Sequence, residues 1–119
     1  MPQTRLHLVF DDYLRRTGTI SNKDYTIVHD WMGSFNQERG RRIYANINVE
    51  EVKEWIVKKS GSTDEAELTD FLRVALGHLF LDLLSYNFVF ESEYEFMKKA
   101  AEGYIDRGYA NCNVNLLLC

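Results

Sequence analysis

The chain has 119 residues, a hydrophobic fraction of 45%, a single proline and a formal net charge of −4. Such a length supports one domain, residues 1–119, with its own buried core, and such a composition excludes a disordered chain. The acidic balance, 14 Lys and Arg against 18 Asp and Glu, disfavours general binding to nucleic acid, which needs an excess of cationic contacts.

The N-terminal stretch MPQTRLHLVFDDYL has no cationic segment followed by a long apolar one, so no signal peptide is expected. A cytoplasmic location follows as an expectation (host-cell cytoplasm for a chain of viral or phage origin). Leu6, Phe10, Tyr13 and Leu14 fall at helical spacing, while Leu6, Leu8 and Phe10 also alternate like a strand, leaving residues 5–10 open between the two. Ser21 with Asp24 has the spacing of a capping box. Tyr25, Val28, Trp31, Met32 and Phe35 then share one helical face.

The NQERGRR loop ends that helix and gathers Arg39, Arg41 and Arg42. Ile43, Ala45, Ile47 and Val49 alternate, as a short strand or extended connector would. Asn48 with Glu51 opens another helix carrying Val52, Trp55 and Ile56, and Gly61 stops it. Ser62 with Glu65 opens a long helix to about Tyr86, where Asn87 is placed to take a left-handed cap. Ser92 with Glu95 opens the last helix, with Met97, Ala101, Tyr104 and Ile105 on one face and Arg107 and Gly108 at its end. The tail alternates Cys112, Val114, Leu116 and Leu118 with asparagines. Its crowded apolar residues predict docking onto the domain.

The fold class predicted is therefore mainly α, a compact bundle of about five helices, with room for a small two-stranded β element from residues 43–47 and the C-terminal tail. Trp31, Phe35, Trp55, Ile56, Leu76, Phe80, Leu83 and Leu84 are the predicted core.

The run VALGHLFLDLLSYNFVF, Val74–Phe90, is broken by His78, Asp82, Ser85 and Asn87. A membrane span needs about 20 predominantly apolar residues, and a central Asp is costly there, so no membrane partner is expected. On a helix, Asp70, His78 and Asp82 line one narrow polar edge. His78 and Asp82, one turn apart, suit a base and its orienting carboxylate, but a self-satisfied pair on a helix edge is the plainer reading. His7, His29 and His78 are isolated in the sequence, without H-x-x-x-H or E-x-x-H spacing, and Asp11–Asp12 and Glu50–Glu51 look like solvated helix starts. Cys112 and Cys119 form no paired C-x-x-C motif. Neither a metal, a cofactor nor a catalytic residue is expected, and the chain is not expected to be an enzyme. Gly77, inside the long helix, costs roughly 1 kcal/mol relative to alanine and suggests close approach of another helix, in the domain or across a homodimer; the tail is a second route to a dimer.

From Ile43 to Phe96, the helix ending EWIVKK, a turn, a long helix and NFVFESEYEF resemble the helix-helix-hairpin order of winged-helix modules, including DEP domains. Phe10 to Phe90 is similar in rhythm to the helical core-binding part of tyrosine recombinases. Both likenesses concern fold alone and bring no site residues. The function expected is non-catalytic: a small regulator, inhibitor, immunity or adaptor protein binding another macromolecule, most simply a protein. The alternative is a nucleic-acid-binding module using Arg39, Arg41 and Arg42.

Overall fold

A computed structural model describes residues 4–40 and 46–115. Five helices follow in chain order: α1 (Thr4–Arg16), α2 (Thr26–Arg39), α3 (Val49–Ser60), α4 (Glu65–Asn87) and α5 (Glu93–Asp106), with a short 3-10 turn at Tyr109–Asn111. No strand occurs among the described residues. Ile47 and the tail from Cys112 to Asn115 are irregular or turn, so the small β element is not shown, and residues 43–45 and 116–118 of that expectation lie outside the described residues. Residues 5–10 are helical.

Local signals explain most helix ends. The Asn48 side chain accepts from the Glu51 N–H and Gly61 takes the left-handed conformation at φ 64°. Ser92 accepts from the Glu95 N–H. Several ends differ from expectation. α4 is capped by Asp64, whose side chain accepts from the Ala66 N–H, and not by Ser62, which accepts from the Asp64 N–H. Residues 36–39, expected in a loop, are the last residues of α2. Ser21 does not cap α2. Its hydroxyl and backbone N–H both donate to Asp70 Oδ2, at 2.8 and 3.3 Å, and the Tyr25 hydroxyl donates to the same oxygen at 3.1 Å. The helix starts five residues later, beside Asp24, which accepts from the Thr26 N–H. Asn87 stays helical and donates to the Leu83 carbonyl at 2.9 Å, and Phe88 leaves the helix in extended conformation.

Helix α4 is the axis of the bundle, and α1, α2, α3 and α5 all pack on it. Its unbroken buried run, Val74–Asp82, reflects neighbours on every side. Phe35, Trp55, Ile56, Leu76, Phe80 and Leu84 are buried, whereas Trp31 and Leu83 are partly buried at the core's margin. On α5 the buried face is Phe96, Ala100 and Tyr104, with Ile105 53% exposed.

Gly77 marks a close approach within the chain. A Cβ there would lie 3.0 Å from the Phe10 ring of α1 and 3.6 Å from Tyr104 of α5. The tail docks as far as described. Cys112 and Val114 are buried, the Val114 N–H donates to Thr69 Oγ1 at 3.2 Å, and Arg73 joins the Cys112 and Thr19 carbonyls, both at 2.8 Å. No helix among the described residues is long and apolar enough to cross a membrane.

Candidate metal centre

All three histidines of the chain, separate in sequence, meet in the core. α1 brings His7 and Asp11 inward because they share a face with Leu6, Phe10 and Leu14, all buried. α2 contributes His29 and the partly buried Asn36, and α4 contributes His78 and Asp82. The exposures are 5% for His7, 7% for His29, 8% for His78, 2% for Asp11 and 0% for Asp82. The pair His78 and Asp82 is thus no solvent-touched helix edge. Asp70 stands apart, holding Ser21 and Tyr25. Of the two carboxylates expected as a solvated pair, Asp11 is buried and only Asp12 is exposed.

Asp82 is the centre of the cluster. His7 Nε2 lies 3.1 Å from Oδ1, and Asn36 Nδ2 donates to Oδ2 at 3.0 Å. His78 Nε2 faces Oδ2 at 3.3 Å. Behind His78, its Nδ1 meets His29 Nδ1 at 2.9 Å, and His29 Nε2 meets Asp11 Oδ2 at 2.6 Å. The rings of His7 and His78 stack at 3.9 Å with 13° between their planes. Asn36 Oδ1 is buried and accepts no hydrogen bond among the described residues.

Proton counting exposes what this arrangement needs. The line Asp11, His29, His78, Asp82 has three contacts, and each requires one hydrogen between two electron-rich atoms. Two neutral imidazoles carry only two. Burial lowers the His78 pKa to about 4, helped by neighbouring His7 and opposed by Asp82, so His78 brings one proton at neutral pH. If His78 donates from Nδ1 to His29, and His29 from Nε2 to Asp11, both of those contacts are satisfied. The His78 Nε2 lone pair is then left against a carboxylate. A cation between them, or one further proton on the line, completes it.

The donor set fits such a cation. Ligand atoms of His7, His78 and Asp82 all lie within 4.8 Å of one another, and roughly 2.0–2.2 Å metal–ligand bonds place ligand atoms about 3.4 Å apart. His7 Nε2 lies 3.1 Å from Oδ1 of Asp82 and His78 Nε2 lies 3.3 Å from Oδ2, so each imidazole stands near that spacing from one of the two carboxylate oxygens. Stacked rings aim their nitrogens nearly parallel, so convergence on one ion requires a tilt of an imidazole. His29 and Asp11 supply the outer hydrogen bonds that orient a metal-bound histidine. Two imidazoles and one carboxylate suit a first-row divalent ion better than calcium or magnesium, which prefer all-oxygen cages.

The same groups set an acid limit in the presence of a chelator. The unfolded chain protonates an imidazole near pH 6.5, whereas folded His78 resists protonation down to about 4. Stability is then fully present above about pH 6.5 and is expected to fall as the pH drops toward 4. Burial alone would raise Asp82, but the imidazoles of His7 and His78 beside it outweigh burial and hold the carboxyl below its usual range, which adds a loss of the same sign at still lower pH. Urea midpoints between pH 7.5 and 4 measure this. A flat profile would contradict the buried, uncharged state of His78.

Of the expected arginine group, only Arg39 lies among the described residues. The guanidinium of Arg39 bonds Glu51 Oε2 at 2.8 Å and lies over the Phe35 and Trp55 rings, 5.0 and 5.8 Å from their centroids. It fastens α2 to α3. Arg41 and Arg42 lie outside the described residues.

Sequence reasoning singled out His78 and Asp82 but missed His7, His29, Asp11 and Asn36. A signal was present. H-x-x-x-D occurs twice, at His7–Asp11 and His78–Asp82, each time within an apolar helical face. Compared with protein-family models, curated proteins and solved structures, the chain matches none, so the chemistry of this cluster alone carries the functional reading.

Proposed function

We propose that the protein binds one divalent first-row transition-metal ion in its helical core, with His7, His78 and Asp82 as ligands and with His29, Asp11 and Asn36 holding them in place. The observation that carries this reading is the burial of three imidazoles and two carboxylates in one cluster, with ligand atoms of His7, His78 and Asp82 within 4.8 Å of one another. Burying ionisable groups costs several kcal/mol each unless they are paired or coordinate a metal. An ion repays that cost as folding free energy, because the unfolded chain has no such site. Zinc is the natural probe, since imidazole and carboxylate are among its ordinary ligands.

Zinc at about 100 times its Kd is expected to stabilise the protein by about 2.7 kcal/mol, a rise of roughly 10 °C in melting temperature for a domain of this size. Asp82→Asn, with one oxygen ligand and its charge removed, should show little of that rise. Thermal melts with chelator and with buffered zinc, cobalt or manganese test the reading. Identical melts of the wild type in every buffer would reject it.

A second reading, a small regulator that binds a protein partner, draws on a different observation. Phe88, Val89 and Tyr94 are 58%, 100% and 78% exposed around the α4–α5 connection. Large apolar side chains grouped at a surface mark interaction sites. The two readings are compatible, because the cluster is inside and this face is outside.

A further inference from the structure

We infer that the bound ion acts as a clamp for α1, so that metal occupancy regulates the surface that α1 helps to form. This rests on the proposed metal centre and adds a consequence to it. Of the proposed ligands, His78 and Asp82 stand one turn apart on α4, and only His7 comes from another helix. An ion held by all three must therefore cross-link α1 to α4.

Among the described residues, the first turn of α1 is held by buried Leu6 and by His7, and its charges add little. It contains no acidic residue and carries Arg5, a cation where the helix dipole favours an anion. Arg5 pairs with Glu93, but both side chains are more than half exposed, and exposed pairs contribute little. Phe10 and Leu14 anchor the middle and end of the helix; near its start Leu6 packs in the core, and His7 is the polar attachment to α4. Leu6, next to His7, forms one wall of a groove of about 230 Å³ whose other side is Phe88, Phe90 and Phe96. When the ion is bound, that wall is fixed. When it is absent, the start of α1 opens from α4 and the groove loses its side.

Hydrogen exchange on the full chain, with chelator or with free zinc at 100 times its Kd, tests this. If α1 must release the ion before it opens, exchange of its amides from Leu8 to Leu14 slows about 100-fold in zinc. Amides of α3, Val49–Ser60, that exchange by local opening keep their rates, because α3 brings no ligand. In His7→Gln the zinc effect on α1 should disappear while the fold, followed by circular dichroism, is kept. Zinc binding seen as a heat signal, with no slowing of α1 relative to α3, overturns the clamp and leaves the metal centre standing. No zinc binding at all overturns both.

Discussion

Replacing Asp82 by alanine is expected to destabilise the protein by about 3–5 kcal/mol, the cost of breaking a buried charged network by removing one partner. Its carboxylate is fully buried and faces His7, His78 and Asn36. Removal relieves one desolvated charge, yet it leaves several polar atoms without a partner, at about 1–3 kcal/mol for each unsatisfied group. Zinc sharpens the contrast. The wild type gains from ion binding and the variant does not, so the gap between their urea midpoints should widen as zinc is added. Equal midpoints in chelator would show that Asp82 is not the centre of the network. A gap unaffected by zinc would separate the network from any metal role.

Phe10→Ala is expected to cost about 3–5 kcal/mol, the usual range for an aromatic truncated in a core. Its ring is 2% exposed, meets Tyr104 edge-on at 5.3 Å and occupies the space that a Cβ on Gly77 would enter. The last contact predicts a reversal of sign. In the wild type, Gly77→Ala crowds Phe10 at 3.0 Å, and overpacking of this kind costs about 1–3 kcal/mol, more than the roughly 1 kcal/mol gained from helix propensity. In the Phe10→Ala background the crowding is gone, and Gly77→Ala should stabilise. The four proteins form a double-mutant cycle. Additive effects would mean that Gly77 is not kept small for Phe10.

Much of the helical frame was legible because its signals are local. Asn48, Gly61 and Ser92 act on backbone groups within four residues, and spacing alone reveals such contacts. Ser21 misled because its partner, Asp70, is 49 residues away, and a hydroxyl near a helix start can serve either purpose. The α5 face was misplaced because Ile105 and Tyr104 are neighbours in sequence and only packing on α4 selects between them. The metal centre was half legible. A single helix shows His78 and Asp82 together, but whether they face water or other imidazoles depends on which helices cover α4. The docking of α1 and α2 on that side changes three ordinary histidines into one site. Asp11 was hidden for a related reason: next to Asp12 it reads as a solvated pair, until the register of α1 turns one carboxylate inward and the other outward.

The most direct measurement is anomalous diffraction at the zinc edge from crystals grown with the ion. The account predicts a peak inside the bundle at about 2.0–2.2 Å from nitrogen atoms of His7 and His78 and an oxygen of Asp82, with His78 Nδ1 still bonded to His29. Zinc found only at surface carboxylates, with the His7 and His78 rings stacked as before around Asp82, would contradict it.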